Sequence, residues 1–105
     1  MIDILSNNLI HALNTNNNTL LHYLIDDECQ LTHTNKQIVV GKEAVIQSLM
    51  DTYKDRNLKI INGKKSDERS YILLYQWKHV NQFEPRTLFI RHNQNKKISL
   101  IHSLA

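Results

Sequence analysis

The sequence contains one cysteine, Cys29, among its 105 residues. A single thiol cannot form a disulfide within the chain, and it cannot build a cysteine-based zinc site. We therefore interpret Cys29 as a small buried apolar residue. No apolar run approaches the roughly 18 residues that a membrane-spanning helix needs. The start, MIDILSNNLIHAL, has Asp3 and no basic region before an apolar run, so we expect a cytoplasmic protein without a membrane partner.

Sequence motifs for metals and nucleotides are also missing. The chain has six histidines, but none is spaced as HxH or HExxH, and a surface or hydrogen-bonded structural role is the first interpretation of each. No serine or cysteine motif of a nucleophilic enzyme occurs, and no glycine-rich nucleotide-binding motif occurs. We therefore predict no metal site and no cofactor.

The basic charge is dispersed. The net charge is +3 and the pI about 9.1, but Lys64-Lys65 and Lys96-Lys97 are expected in separate turns. A nucleic-acid groove would instead interleave basic residues with exposed aromatic residues on one face. We expect no nucleic-acid partner.

What is present indicates one globular domain over residues 1–105, with 41% hydrophobic and 22% charged residues. Apolar spacing predicts a helix from Ile2 to Leu13 and a second from Thr19 to Ile25, separated by the Asn16–Asn18 turn. A third helix, Lys42–Tyr53, repeats apolar residues at i, i+1, i+4, i+5 and i+8, with Glu43 in its first turn.

The remaining segments alternate between apolar and polar residues. Cys29, Leu31 and His33 share one side of a strand, and Ile38–Val40 is its short partner. Four further strands are predicted after the third helix: Asn57–Asn62, Ser70–Val80, Arg86–His92 and Lys97–Leu104. Asn62-Gly63 is a hairpin signal after the first of them. The order predicts an α+β fold, in which three helices pack on one face of a curved antiparallel sheet.

Three segments in this order resemble the nuclear transport factor 2-like (NTF2-like, SnoaL-like) superfamily. They are LHYLIDDECQLTH, VGKEAVIQSL and KKISLIHSLA. The resemblance covers most of the chain and implies a cone whose helices and concave sheet face enclose a pocket. It implies no single activity, because this fold hosts isomerases, cyclases and proteins without chemistry.

Strand alternation and the resemblance together predict which side chains point into that pocket. The expected ligand-binding residues lie on one face of two neighbouring strands. They are Tyr71, Leu73, Tyr75, Trp77, Leu88 and Ile90. Packing of these aromatic residues in an ordinary core is the competing interpretation. Either way, we expect the opposite face, with Ile72 and Leu74, to pack against a second subunit in a homodimer.

His33 is the candidate general base. By alternation it takes the place of the catalytic aspartate of isomerases in this superfamily, whereas a count from Asp26-Asp27 puts Thr32 there. Imidazole suits proton transfer near neutral pH. However, the isomerase tyrosine and protonated aspartate correspond to positions near Leu9 and Leu88, so the sequence does not support that oxyanion hole.

Two functional hypotheses follow. The first is a noncatalytic domain that binds a small hydrophobic molecule or serves as a dimeric interaction module. The second is a small lyase or isomerase of SnoaL or ketosteroid isomerase type, with His33 as base and Tyr75 or His92 assisting. The lack of a pocket carboxylate favours the first.

Overall fold

Helices and strands follow the predicted order in the structure, a computed structural model that describes residues 4–33, 36–53, 58–77 and 86–104. The helices are α1 (Ile4–Asn14), α2 (Asn18–Leu24) and α3 (Lys42–Tyr53). The strands are β1 (Ile25–Thr32), β2 (Ile38–Val40), β3 (Leu58–Asp67), β4 (Ser70–Trp77), β5 (Arg86–His92) and β6 (Ile98–Leu104). The predicted strand residues Asn57 and 78–80 lie outside the described residues. The longest described helix has 12 residues, so no helix in these ranges can cross a membrane.

Local chemistry explains where the helices begin. Asn17 caps α2, because its side-chain oxygen accepts a hydrogen bond from the Leu20 amide at 3.0 Å. Gly41 precedes α3 with a φ of +101°. Residues other than glycine adopt this backbone conformation only at a cost in conformational energy. The predicted bounds of α3 are confirmed.

The first strand begins earlier than predicted. Ile25 was assigned to the end of α2, but it is the first residue of β1, and Asp26 and Asp27 lie in this strand. Ile25 pairs with Ile98 of β6, and Asp26 Oδ1 accepts a hydrogen bond from Asn93 Nδ2 at 3.0 Å. Contacts with distant residues thus fix a strand start that local propensity does not favour.

The six strands of the described chain form one sheet in the order β2-β1-β6-β5-β4-β3. The prediction of an antiparallel sheet is wrong at one position, because β1 and β6 run parallel. The other neighbours are antiparallel. Two parallel neighbours need a long connection between them. Here β2, α3 and three more strands separate β1 from β6 along the chain. The α+β class is confirmed with a mixed sheet.

The Asn62-Gly63 prediction is also wrong. β3 continues through Gly63, Lys64 and Lys65 to Asp67, and the turn to β4 is Glu68-Arg69. The pairing of β3 with β4 shifts register between Ile60 and Asn62. Asn and Gly therefore accompany an irregularity within the strand, as they do at β-bulges.

One hydrophobic core lies between the helices and one sheet face. α1 contributes Leu9, Ala12 and Leu13, and α3 contributes Val45, Ile46, Leu49 and Tyr53. The facing strand residues include Cys29, Leu31, Leu73, Tyr75, Leu88, Ile90 and Ile101. Burial of Cys29 agrees with its interpretation as a core residue.

Candidate functional site

The predicted pocket residues lie on the core face of the sheet. Leu73, Tyr75, Leu88 and Ile90 are each at most 2% exposed. Cross-strand pairing sets Leu73 opposite Leu88 and Tyr71 opposite Ile90. Tyr71 is half-buried, whereas the side chain of Trp77 lies outside the part of the chain that the structure describes. Leu73, Tyr75, Leu88 and Ile90 form a continuous apolar wall, and a role in ligand binding stays a prediction.

A pair of tyrosines adds polar groups to this wall. Tyr53, at the end of α3, and Tyr75, on β4, are 3% and 2% exposed. Their hydroxyl oxygens are 3.3 Å apart, and their rings pack edge to face with centroids 6.2 Å apart. This geometry is favourable for aromatic rings and leaves both hydroxyl groups at one point of the interior.

The surroundings keep the Tyr53 hydroxyl group protonated. Burial raises the pKa of Tyr53, and the neighbouring Tyr75 raises it further. A hydrogen bond with Ser103 of β6 and the charge of Arg86 oppose that rise in pKa. Arg86 pairs with Tyr75 across the β4–β5 ladder. At neutral pH the Tyr53 hydroxyl group is therefore a hydrogen-bond donor rather than a base.

His33 lies just beyond the last residue of β1. Its side chain is half-buried, and Nε2 is 3.1 Å from the Ser48 hydroxyl of α3. No salt bridge to His33 is found among the described residues. A general base in a triad-like arrangement has a carboxylate or carbonyl that orients its imidazole. The side-chain partner of His33 is instead a hydroxyl group.

The three candidate catalytic residues do not come together. Tyr75 pairs with Arg86, the first residue of β5, whereas His92 is the last. Six residues of extended strand separate these positions by about 20 Å. His33 follows the last residue of β1, and this end of β1 lies at the same end of the sheet as Tyr75. His92 instead stacks on Tyr71, with ring centroids 5.9 Å apart.

Sequence reasoning missed the contacts of Tyr53 with Tyr75 and with Ser103. Tyr53 was recognised only as the last apolar residue on the α3 face, and alternation along β6 contained the signal for Ser103. Their meeting depends on how α3 crosses the sheet, which neither segment encodes alone. Within the described residues, no three His, Cys, Asp or Glu side chains form a group that could hold a metal ion.

The opposite sheet face carries partly exposed apolar residues. Ile72 pairs with Phe89, and Phe89 pairs with His102. Ile72, Leu74, Phe89 and Leu100 are half-buried in the single chain. Strand alternation places them on the side away from α1 and α3.

Solved structures similar to this one share its fold at low sequence identity. An NTF2-like protein of unknown function from Cytophaga hutchinsonii has a TM-score of 0.74 and 15% identity, and the match covers 98% of this chain and 89% of that chain. A SnoaL-like protein of unknown function from Burkholderia thailandensis has a TM-score of 0.78 and 12% identity, with 93% and 88% covered.

A third similar structure is the Orange Carotenoid Protein of Anabaena (Nostoc) sp. PCC 7120, binding canthaxanthin. Its TM-score is 0.78 at 18% identity, and the match covers 99% of this chain but 36% of that chain. No protein-family model and no curated protein sequence matches the chain. These likenesses concern the fold, because such identities do not transfer an activity.

Proposed function

Because the chain has the NTF2-like fold, we propose that it is a noncatalytic binding protein that takes a small hydrophobic molecule between α1, α3 and the sheet. The observation that carries the proposal is the Tyr53–Tyr75 hydroxyl pair within an otherwise apolar wall. Ligand sites are mostly apolar and contain a few convergent polar groups that fix orientation. The pair would donate a hydrogen bond to a carbonyl or hydroxyl oxygen of the ligand.

The similarity to the Orange Carotenoid Protein supports the ligand class by analogy. That protein binds canthaxanthin, which supports an apolar ligand for this chain. The analogy does not extend to the identity of the ligand.

Binding is better supported than a lyase or isomerase activity. In the enzyme hypothesis His33 removes a proton and Tyr75 or His92 assists. His92 lies about 20 Å along the sheet from the level of Tyr75, and His33 contacts a serine hydroxyl group. If His33 were nevertheless a base, His33→Ala would abolish turnover and leave the melting temperature nearly unchanged.

The neutral fluorophore prodan tests the binding proposal, because it combines a naphthalene ring with a ketone oxygen. We expect saturable binding with a blue-shifted emission. Tyr53→Phe and Tyr75→Phe should each weaken binding about threefold to tenfold, the range of one lost hydrogen bond. Tyr23→Phe is the control, because Tyr23 is 68% exposed on α2. Equal affinities for all four proteins would refute the proposal.

We also propose that the protein is a homodimer through the outer sheet face. Half-buried apolar side chains on three neighbouring strands favour this arrangement, since a second copy would remove them from water. Phe89→Lys places a charge at the centre of the face and should yield a monomer in analytical ultracentrifugation. Asn7→Lys, at an exposed position of α1 on the other side of the sheet, is the control. A wild-type monomer across micromolar concentrations would contradict the proposal.

A further inference from the structure

A second candidate site lies at the opposite end of the sheet from the Tyr53–Tyr75 pair. There a cleft of about 410 Å³ opens between the start of α1, the end of α2 and the β4–β5 edge. Its volume falls within the range of small-molecule pockets. The lining residues in the described chain include Ile4, Asn8, Tyr23, Tyr71, His92 and Lys96.

The rim of this cleft exposes unusually large apolar side chains. Ile4 is 76% exposed and Tyr23 68% exposed. Lys97 holds Tyr23 in place, because its Nζ lies 3.6 Å from the ring centroid and donates a hydrogen bond to the Tyr23 carbonyl oxygen at 2.6 Å. An exposed aromatic ring that is already ordered loses little entropy when a ligand packs on it.

The inner wall is also ordered. The rings of Tyr71 and His92 stack with an interplanar angle of 26°. His92 Nδ1 is 2.8 Å from the Asn93 carbonyl oxygen, which accepts a hydrogen bond from the ring and fixes its orientation. The inner wall of the cleft is therefore aromatic, and a planar ligand can pack against an outer face of the stacked pair.

The charge at the cleft is positive. Among the described residues that line the cleft, Lys96 is the one lysine or arginine, and none is an aspartate or glutamate. Its backbone has a φ of +59° in a turn closed by the Lys96 amide and the Asn93 carbonyl at 3.0 Å. The Asn93 side chain accepts hydrogen bonds from the Asn95 and Lys97 amides and donates one to Asp26. The turn that carries Lys96 is therefore anchored to β1.

We propose that this cleft binds a small planar aromatic carboxylate. The ring of the ligand packs against Tyr71 and Tyr23, and its carboxylate pairs with the Lys96 ammonium group. The Asn8 amide, on the first turns of α1, supplies a further hydrogen-bond donor at the same cleft. The site is independent of the proposed interior site, because it uses the other ends of β4 and β5.

The probe is 2-naphthoate, and its neutral isostere 2-naphthamide is the ligand control. Backbone amide resonances in a ¹H–¹⁵N correlation spectrum should shift saturably for Asn8, Tyr23, Tyr71 and His92 when naphthoate is added. Naphthoate should bind about threefold to fivefold more tightly than naphthamide, as expected for one partly exposed ion pair.

Lys96→Asn tests the charge, since asparagine tolerates left-handed backbone and preserves the turn. It should abolish the preference for naphthoate over naphthamide. Lys36→Asn is a matched control, because Lys36 is exposed, has a φ of +68°, and closes a similar turn through its amide and the His33 carbonyl at 2.9 Å. It should leave the preference unchanged.

A steric pair tests the location. Asn8→Phe should fill the cleft and prevent naphthoate binding, whereas Asn7→Phe, at the adjacent exposed position of α1, should not. The proposal is overturned if naphthoate causes no saturable shifts at millimolar concentration. It is also overturned if the shifts cluster at Tyr53 and Tyr75, or if Lys96→Asn and Lys36→Asn behave alike.

Discussion

The Asn14 side chain joins the helical layer to the edge of the sheet, and Asn14→Ala should cost about 2 kcal/mol of unfolding free energy. Asn14 Nδ2 donates to the Leu58 carbonyl oxygen at 2.9 Å, and the Leu58 amide donates to Asn14 Oδ1 at 2.7 Å. The amide therefore pairs with the first residue of β3 as a neighbouring strand would. This contact lies near the proposed interior site, because Leu58 pairs with Trp77 of β4.

The magnitude follows from the two bonds and the burial of Leu58. Each net hydrogen bond contributes about 0.5–1.5 kcal/mol. Two such bonds sum to about 1–3 kcal/mol. Leu58 is 2% exposed, so water replaces the lost partners poorly and the loss lies in the upper half of the summed range. The better helix propensity of alanine offsets about 0.5 kcal/mol. A net loss of about 2 kcal/mol lowers the Tm of a domain this size by about 8–16 °C.

Urea unfolding followed by fluorescence of the single tryptophan measures this loss. Asn7→Ala is the control, because Asn7 is exposed on the same helix and its replacement should be neutral or slightly stabilising. If Asn14→Ala loses no more stability than Asn7→Ala, the side chain does not pair with β3 in solution and the reasoning is refuted.

Three further outcomes are expected from local chemistry. Hydrogen bonds with the Asn18 carbonyl and with Glu43 raise the pKa of His22. The protonated form therefore stabilises the fold fully below the unfolded pKa near 6.5, and this contribution disappears as pH rises through the folded pKa. His22→Gln should consequently lower Tm more at pH 5.5 than at pH 8.5, and an equal loss at both would contradict it. Burial raises the pKa of the Cys29 thiol to about 12, so an aromatic disulfide reagent at pH 8 should react slowly until urea unfolds the chain. Fast reaction in buffer would show that the thiol is accessible. Gly41→Ala should cost about 1 kcal/mol or more from backbone strain alone, because an added Cβ meets no atom within 4 Å. An unchanged urea midpoint would mean that the positive φ is not required.

The sequence predicts elements whose signals are local. The bounds of α3, β2 and β5 agree with the structure, because an amphipathic period or a short alternating run is contained in each segment. The start of β1 was missed because its residues Asp26 and Asp27 are poor strand formers. Its position depends on pairing with β6, about seventy residues later.

In the candidate site, too, the sequence predicts only those features whose signal is local. Alternation identifies the core-facing residues Leu73, Tyr75, Leu88 and Ile90, since strand period alone determines that face. Alternation does not give the order or direction of the strands, and so the enzyme hypothesis combined His33 with His92 although they lie at opposite ends of the sheet. The Asn14–Leu58 contact spans 44 residues and has no local signal.

We propose that a ligand binds between the helices and the sheet at the Tyr53–Tyr75 pair. A high-resolution crystal structure of the protein soaked with prodan tests it most directly. We expect the naphthalene ring to lie against Leu73 and Leu88. The ketone oxygen should lie within about 3 Å of the Tyr53 or Tyr75 hydroxyl oxygen. Prodan density on the outer sheet face alone, or an interior closed around an intact Tyr53–Tyr75 contact, would contradict it.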